Sequence, residues 1–384
     1  MNVELFLFFV IFITSVGLLV SLSNMRAVRR LGEHKLTGST PKVSILVPAR
    51  NEERNIKACV SSLLSQDYPN FEVIVLDDNS TDNTPLILNQ LKRTNPRLKL
   101  INGTPLPEGW PGKHWACHQL SQQASGDYLL FTDADTRHEP GALSSAIAEM
   151  LHSEADLLTA LPRQEVLTWS EKLLVPFMNF GILSFLPIKI AQVFKIPELS
   201  VTIGQFMLFR REAYQAVGGY AAAIVNVNDD VILGRMIIEN GYKWVLSNGS
   251  DQVTCRMYHN FHETVEGFSK NVFGFFGYKV IPFTFVWTLA FLIFTLPVWI
   301  LFRHLTGIFI SQALVDLSVI ATVESLALFL IAYHRQRIPI SLAFLYPLTI
   351  AAFATIALRS MLLTVNGHAS WKGRELMKTD VKWL

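Results

Sequence analysis

Long apolar runs at both ends of the chain enclose a central region where short apolar runs alternate with polar loops. The first long run covers residues 3–22, which is about the length that a helix needs to cross a bilayer. Three further runs cover residues 281–302, 308–333 and 340–364. The pattern predicts an N-terminal transmembrane anchor over residues 1–23 and a transmembrane region of two or three spans over residues 281–364.

A cleaved signal peptide is the alternative interpretation of the first run. No basic segment precedes that run and no small-x-small cleavage site closes it. Arg26, Arg29 and Arg30 follow it, and the positive-inside rule then places the central region in the cytoplasm. We therefore expect a multi-pass protein of the cell membrane. Three C-terminal spans would place the basic tail (365–384) outside, against the same rule, so the number of spans stays open.

The central region alternates β-type runs with helical spacing of apolar residues. Strands are predicted over residues 43–48, 71–76, 98–101, 128–131, 157–162, 204–209 and 243–246. Helices are predicted over residues 53–66, 116–123 and 141–152, and after a cap at Ser80 or Thr81. This order predicts an α/β domain over residues 41–255, in which helices flank a mostly parallel sheet.

Three of the predicted strands end in polar clusters. These clusters are Pro48–Glu52, Asp77–Ser80 and Asp133–Asp135. We expect them to converge, because ligands of parallel sheets bind where the carboxyl ends of the strands meet. Asp133 and Asp135 are two residues apart, so an extended backbone points both the same way, which suits a hard divalent cation such as Mg²⁺ or Mn²⁺. A solvated turn with two surface aspartates is the alternative.

Two other segments carry candidate chemistry. Residues 106–115 are rich in turn residues and are predicted to be an irregular loop, in which Lys113 either binds a phosphate or lies on the surface. Asp229 and Asp230 precede a helix, where one aspartate suffices as a cap. The other aspartate is predicted to act as a base near the acidic edge of the sheet.

Two segments between the domain and the membrane runs combine apolar, aromatic and basic residues. Residues 173–201 are apolar but interrupted by prolines, which indicates amphipathic pieces at the membrane surface rather than a span. Residues 256–280 are predicted to be an interfacial segment. Its expected aromatic belt comprises Phe261, Phe268, Phe273, Phe275, Phe276 and Tyr278.

Composition narrows the function classes. Half of the residues are hydrophobic and the mean hydropathy is +0.32, which suits a membrane protein. A net charge of +2 provides no global basis for binding nucleic acid. The three cysteines, Cys59, Cys117 and Cys255, lie far apart, which indicates a reducing compartment without disulfides.

The polar segments together resemble the family 2 glycosyltransferases, which have the GT-A fold. The resemblance covers about residues 41–250 and rests on four motifs in the family's order. Val43–Glu53 is similar to the first strand and loop, Asp77–Asp82 to the second acidic motif, and Asp133–Asp135 to the metal-binding triplet. Asn228–Asp230, followed by Gly234, is similar to the motif whose last carboxylate is the base.

The resemblance implies an inverting transferase with a nucleotide-sugar donor, most often a UDP-sugar. Asp133 and Asp135 would hold Mg²⁺ or Mn²⁺, and Asp230 would be the general base. The residues implied for nucleotide-sugar binding are Pro48, Ala49, Arg50, Glu52, Asp77, Asp78, Lys113 and Asp133. Candidates on the acceptor side are Gly204, Gln205, Asp229, Arg256 and Lys270.

The acceptor is inferred from the membrane segments. The chain lacks the Gln-x-x-Arg-Trp motif that many processive members carry after the base. Its layout resembles bacterial enzymes that glycosylate carotenoids or hopanoids, and Trp371–Arg374 resembles part of ceramide glucosyltransferases. We therefore expect transfer of one sugar to a carotenoid, a hopanoid or another polyprenoid or sphingoid lipid. A processive polysaccharide synthase and a non-catalytic membrane scaffold with a GT-A shape are the alternatives.

Overall fold

The computed structural model describes residues 3–224, 229–367, 370–371, 374–375 and 381–384. Asn228 of the fourth motif and Lys372 and Gly373 of the tail lie outside these residues. The chain forms two compact units. We call Ala27–Glu165 with Ile188–Met257 the sheet unit, and Met1–Arg26 with Val166–Pro187 and Tyr258–Leu384 the helical unit.

The strands follow one another in this order. They are β1 Val43–Ala49, β2 Phe71–Asp77, β3 Leu98–Asn102, β4 Tyr128–Phe131, β5 Thr136–His138, β6 Leu157–Leu161, β7 Arg163–Gln164, β8 Met207–Arg210, β9 Trp244–Asn248, β10 Val253–Cys255, β11 Ser370–Trp371 and β12 Arg374–Glu375. Seven of them form the main sheet, in the order β3-β2-β1-β4-β8-β6-β9. Only β8 runs antiparallel to its neighbours within that sheet, so the predicted mostly parallel α/β architecture is confirmed.

The helices have the following bounds. They are α1 Val3–Ala27, α2 Ile56–Leu64, α3 Thr84–Thr94, α4 Gly112–Gln123, α5 Ala142–Ser153, α6 Trp169–Leu174, α7 Pro176–Phe185, α8 Ile188–Val193, α9 Arg211–Ala216, α10 Gly219–Ala222, α11 Asp229–Glu239, α12 Phe261–Asn271, α13 Val280–Leu305, α14 Gln312–Arg335 and α15 Tyr346–Val365. Short 3₁₀ turns cover Pro197–Leu199, Gly274–Phe276 and Ile340–Leu345.

The core of the sheet unit lies between the main sheet and the helices α2 and α5. Alternate residues of β1, namely Val43, Ile45 and Val47, pack with apolar residues of those helices such as Val60 and Ile147. Every residue of β1 and β2 is buried except Pro48 and Asp77, near the carboxyl ends. These two strands are therefore anchored along their length, while their carboxyl ends open toward solvent.

A second sheet, absent from the sequence prediction, pairs β5, β10 and β7. Its strands have only two or three residues each, and they join segments that are far apart in the chain. Strands that short carry no alternation that a sequence pattern can detect. This small sheet lies directly after β4, because β5 begins one residue beyond Asp135.

Several predicted boundaries were wrong for identifiable reasons. Pro48 does not end β1, which continues to Ala49. β4 stops pairing with β1 at Leu46, so no strand on that side needs a hydrogen bond from the N–H that Pro48 lacks. The predicted loop over residues 106–115 becomes helical at Gly112, directly after Pro111. The strand predicted from Gly204 begins at Met207, after a turn.

The predicted cap of α3 at Ser80 or Thr81 was also wrong, since the helix begins at Thr84. The Ser80 hydroxyl accepts a hydrogen bond from the Asn51 N–H, and the Thr81 N–H donates to the Asn51 side chain. The carboxylate of Asp82 accepts the Thr84 N–H instead. Contacts with the loop after β1 therefore displace the start of this helix along the chain.

Glu72 braces the amino-terminal part of the main sheet. Its carboxylate accepts hydrogen bonds from the Ser44 and Ser125 hydroxyls and pairs with Lys99 at 2.5 Å. Burial would raise the pKa of Glu72, but the bonds from Lys99, Ser125 and Ser44 lower it to about 2. The folded pKa lies below the ordinary value, so this stabilisation is complete above pH 4.5 and is lost as the pH falls through about 2.

Glu72→Gln is therefore expected to lower the free energy of unfolding by about 1.5–3 kcal/mol at pH 7 and by much less at pH 2. Urea unfolding at both pH values, followed by tryptophan fluorescence in detergent, measures the difference. Glu154→Gln, at an exposed carboxylate, is the matched control and should change neither value. An equal loss for Glu72→Gln at both pH values would contradict the proposed electrostatic origin.

The helical unit holds the apolar runs. Among the described residues, four helical segments are long and apolar enough to cross a membrane: Val3–Ala27, Val280–Leu305, Gln312–Arg335 and Ile340–Val365. Its core combines aromatic and aliphatic residues, and the rings of Phe180 and Phe329 stack with their centroids 3.7 Å apart. Part of the predicted interfacial belt belongs to the interior instead, since Phe268, Phe273 and Tyr278 are buried.

A carboxylate joins two of the apolar helices. Thr14 and Ser15 of α1 donate hydrogen bonds to Glu324 of α14, at 2.5 and 2.9 Å. A charged or polar group among apolar helices is costly unless it is paired, so these hydroxyls offset the cost of placing Glu324 there.

Replacing both hydroxyl residues, Thr14→Val with Ser15→Ala, should destabilise the helical unit by about 0.6–1.7 kcal/mol. Thermal unfolding in detergent measures the loss. Adding Glu324→Leu to the double variant should recover it, because the carboxylate that needs partners is then gone. Thr295→Val is the control, since that exposed hydroxyl bonds only within its own helix. Additive losses across the three substitutions would show that the contact contributes nothing.

Candidate active site

The three predicted polar clusters converge at the carboxyl edge of the main sheet. β1 lies between β2 and β4, with Ala49 opposite Asp77 and Leu46 opposite Phe131. The Asp78 N–H continues the ladder by donating to the Ala49 carbonyl at 2.8 Å. The sequence prediction that these strand ends share one edge is therefore correct.

The loops after β1 and β2 brace each other. Arg50 Nη1 donates to the Asp78 carbonyl at 2.9 Å and lies 3.8 Å from an oxygen of its carboxylate. The Glu52 N–H donates to the Thr84 hydroxyl at 2.8 Å, which ties the same loop to the start of α3. Asn51 is held at φ 54°, a left-handed conformation that asparagine tolerates. The two loops thus form one rigid rim with Asp78 buried and Glu52 half-buried.

Lys113 and Asp133 form an ion pair at this rim. Lys113 lies in the first turn of α4 and Asp133 follows β4, and Nζ and Oδ1 are 2.7 Å apart. Both side chains are partly open to solvent, at 41% and 28% of their surface. An ammonium that is close to a carboxylate yet accessible is available to an anionic ligand. Lys113 therefore belongs to a helix rather than to the predicted loop, and its exposed side chain contacts the acidic triplet.

Asp230 reaches the same place from α11. One oxygen of its carboxylate accepts the Gly204 N–H at 3.0 Å, and the other accepts the Val231 N–H at 2.8 Å. A Cβ on Gly204 would lie 3.3 Å from Lys113 Nζ and 3.5 Å from Asp230 Oδ2. The backbone at Gly204 is thus the point where Lys113 and Asp230 meet. Asp133, Lys113, Gly204 and Asp230 come from four segments and form one cluster.

A glycine on α11 allows this approach. A Cβ on Gly234 would lie 2.5 Å from Cγ2 of Thr202, closer than side chains pack, so only glycine fits. The Thr202 hydroxyl in turn donates to the backbone carbonyl of Asp230. The helix therefore packs directly on the segment that leads into Gly204, which fixes the Asp230 carboxylate.

A buried polar layer supports the turn of the acidic triplet. The Thr136 hydroxyl donates to the Asp133 carbonyl at 2.8 Å, and Nε2 of His138 lies 3.1 Å from the hydroxyls of both Thr132 and Thr136. Burial lowers the pKa of His138 to about 3, so its ring is neutral at physiological pH. This layer was not predicted from the sequence. The polar residues that flank the triplet, Thr132, Thr136 and His138, were the available signal.

Gln205 was predicted to lie on the acceptor side, but its side chain is buried. Its Nε2 donates to the Cys255 sulfur at 3.0 Å, and its Oε1 accepts from Gln164 Nε2 at 3.0 Å. Burial, followed by the charges of Asp135 and Asp133, raises the pKa of the Cys255 thiol. The three cysteines are buried and free, so no disulfide exists among the described residues.

The remaining acceptor-side candidates lie in different places. Asp229 begins α11 beside Asp230. Arg256 directly follows β10 in the sheet unit, whereas Lys270 lies in the last turn of α12 in the helical unit.

Carboxylates are the donors that this cluster offers to a cation. No group of three His, Cys, Asp or Glu side chains within the described ranges is arranged to hold a metal ion. Asp133 and Asp135, two residues apart, supply the hard oxygen ligands that Mg²⁺ and Mn²⁺ prefer. Mg²⁺ commonly takes one or two carboxylates and completes its coordination with substrate phosphates and water. The donor set fits a divalent ion that binds together with a phosphate-bearing ligand.

Parts of this chain are similar in sequence to known proteins. Beta-monoglucosyldiacylglycerol synthase of Nostoc sp. is 36% identical over 131 residues, which are 34% of this chain and 28% of that protein. The 4,4'-diaponeurosporenoate glycosyltransferase of Staphylococcus aureus is 27% identical over 238 residues, 60% of each chain. The chain thus spans less than a third of the first relative's length and three-fifths of the second's.

A solved structure shares the fold over nearly the whole chain. It is the mannosyltransferase PcManGT of Pyrobaculum calidifontis in complex with GDP-Man and Mn²⁺. It has a TM-score of 0.55 and 17% sequence identity, and the match covers 94% of this chain and 97% of that one. This similarity confirms the predicted GT-A type of α/β fold. The family model described as glycosyl transferase family 2 matches residues 44–218. Residues 44–218 of this chain therefore match a family 2 glycosyltransferase domain.

Proposed function

We propose that this protein is an inverting glycosyltransferase that moves a single sugar from a nucleotide-sugar, preferably a UDP-sugar, to a membrane lipid. The observation that carries the proposal is the cluster of Asp133, Lys113 and Asp230 at the carboxyl edge of the sheet. This cluster brings the ammonium of Lys113 and two carboxylates to the edge where ligands of such sheets bind.

The donor would occupy the rim formed by the loops after β1 and β2. Asp78 and Glu52 are fixed there by backbone contacts, and they offer carboxylate oxygens to nucleoside hydroxyl and N–H groups. The other residues proposed for this part of the site are Pro48, Ala49, Arg50 and Asp77. Lys113 would bind the diphosphate as a point charge, since its ammonium already lies at the acidic triplet.

Asp133 and Asp135 would hold Mg²⁺ or Mn²⁺ through their carboxylates. A bound ion would supply Lewis-acid stabilisation of the negative charge on the departing diphosphate. The Pyrobaculum relative, which was solved with GDP-Man and Mn²⁺, supports this proposal by analogy.

Asp230 would act as general base and accept the proton of the acceptor hydroxyl. As the acceptor oxygen bonds to the anomeric carbon, the bond from that carbon to the diphosphate oxygen breaks. A single displacement inverts the anomeric centre and forms no covalent enzyme intermediate. The two backbone N–H groups that bind Asp230 hold its carboxylate toward Lys113.

A lipid acceptor is proposed because the same chain carries the four apolar helical segments. The names of the Nostoc and staphylococcal relatives, which denote a glucosyldiacylglycerol and a carotenoid acid, support this choice. We propose a multi-pass location in the cell membrane, with the sheet unit in the cytoplasm beside the arginines that follow α1. The proposed division is an anchor over 1–23, the transferase domain over 41–255, an interfacial segment over 256–280, a membrane region over 281–364 and a basic tail.

Mass spectrometry of lipids tests the proposal. Membranes from cells with and without the gene should differ by lipid species heavier by one sugar. A ladder of products would instead indicate the processive polysaccharide synthase. No difference in the lipids, combined with no hydrolysis or transfer of any nucleotide-sugar by the purified protein, would favour the non-catalytic scaffold.

Removing divalent ions should abolish transfer. We expect EDTA to reduce the transfer rate by at least a hundredfold, because an uncompensated diphosphate is a poor leaving group. Adding Mn²⁺ or Mg²⁺ in excess should restore the rate, while Ca²⁺, which prefers more ligands at longer distances, should restore less. Full activity in EDTA would refute the metal role of Asp133 and Asp135.

A further inference from the structure

A series of hydrogen-bonded, buried side chains, Gln164, Gln205 and Cys255, leads to the acidic triplet. Cys255 ends β10 and pairs with Thr136, the residue after Asp135, in the small three-stranded sheet. Its side chain is buried, with 1% of the residue exposed. The register of this pairing places the thiol beside the turn that carries Asp133 and Asp135.

The hydrogen bonds of this chain run in one direction. Gln164 Nε2 donates to Gln205 Oε1, and Gln205 Nε2 donates to the Cys255 sulfur, both at 3.0 Å. The Cys255 sulfur accepts the hydrogen bond from Gln205, so the S–H of Cys255 can act as a donor. The thiol is hydrogen-bonded to the Asp135 carboxylate. The direction of each bond thus follows from its neighbour.

Backbone hydrogen bonds also fix the residues of this hydrogen-bonded series. The Gln205 carbonyl accepts the Thr132 hydroxyl at 2.8 Å, and the Glu165 N–H, next to Gln164, donates to the Cys255 carbonyl at 2.8 Å. The backbone on both sides of the thiol is therefore rigid, so the S–H can be aimed.

We propose that Cys255 is a positioning residue that orients the Asp135 carboxylate for a divalent cation, with Gln205 and Gln164 holding the thiol in place. The inference rests on the proposed function, since it assigns a purpose to Asp135 in that site. Side chains that orient metal-binding ligands typically change metal affinity by 10–100-fold when they are replaced. It also gives Gln205 a role different from contact with the acceptor.

The alternative is a cysteine that only fills space, since buried cysteines often act as small apolar residues. The two explanations differ for serine. A space-filling role predicts that Cys255→Ser is no better than Cys255→Ala, because a hydroxyl is poorer at filling an apolar space. A positioning role predicts that serine rescues, because the hydroxyl can still donate to Asp135 and accept from Gln205.

The experiment is a titration of the purified full-length protein with Mn²⁺, followed by electron paramagnetic resonance of the free ion, with UDP present and separately with GDP. We expect Cys255→Ala to raise the Mn²⁺ dissociation constant by at least tenfold and Cys255→Ser by less than threefold. Cys117→Ala, at another buried cysteine, is the matched control and should leave the constant unchanged.

A second variant covers the case in which Cys255→Ala does not fold. Gln164→Met removes the first donor of the chain at nearly constant volume and should raise the Mn²⁺ dissociation constant by about threefold, with the melting temperature measured alongside. Wild-type affinity in Cys255→Ala or in Gln164→Met, or no rescue by Cys255→Ser, would overturn the positioning role while leaving the proposed function intact. Failure of the wild-type protein to bind Mn²⁺ with either nucleotide would overturn both.

Discussion

Asp230→Asn should lower the rate of sugar transfer by about 10²–10⁴-fold, the range that a general base contributes. The amide cannot take up the acceptor proton, whereas its size and position are those of the carboxylate. Donor binding should change little, because the proposed nucleoside contacts come from the loops after β1 and β2. The measurement is transfer to lipid under saturating donor, together with the KM for the donor.

The control for this variant lies on the same helix. Glu239→Gln removes a carboxylate from the exposed end of α11 and should leave the rate unchanged. Asp230 accepts two backbone N–H groups and asparagine has one acceptor oxygen, so a small loss of stability is expected, and the melting temperature must be measured with the rate. A folded Asp230→Asn protein within threefold of the wild-type rate would show that another group takes the proton.

Lys113→Met should have two opposite effects on binding. The KM for the nucleotide-sugar should rise by at least tenfold, because the proposed charge on the diphosphate is lost. The affinity for Mn²⁺ without nucleotide should rise, because the ammonium that lies 2.7 Å from Asp133 no longer competes for its oxygen. Kinetics and Mn²⁺ titration on the same preparation measure both.

Two further variants separate charge from shape at this position. Lys113→Arg keeps the charge and should recover part of the donor affinity, though a planar guanidinium cannot reproduce the contact of an ammonium. Lys92→Met, at an exposed lysine of α3, should alter neither quantity. If Lys113→Met weakened nucleotide binding and Mn²⁺ binding alike, the lysine would be supporting the local fold instead of binding phosphate.

Local patterns were sufficient for the elements and for the polar edge. The apolar runs predicted the long helices because twenty apolar residues in sequence have few alternatives. Pro48–Glu52, Asp77–Ser80 and Asp133–Asp135 could be placed together because parallel strands must present their carboxyl ends at one edge. Both predictions could be made without the order of the strands in the sheet.

The contacts that turn this edge into a cluster depended on tertiary structure. β8 lies between β4 and β6 and runs antiparallel to both, so the residues before it, Gly204 and Gln205, fall at the carboxyl end of β4. No sequence pattern distinguishes an antiparallel insertion from another parallel strand. Cys255 and Gln164 come together through strands of two or three residues, which are too short to predict. The sequence by itself determined which carboxylates stand at the strand ends, and only the packing decided which groups hold them.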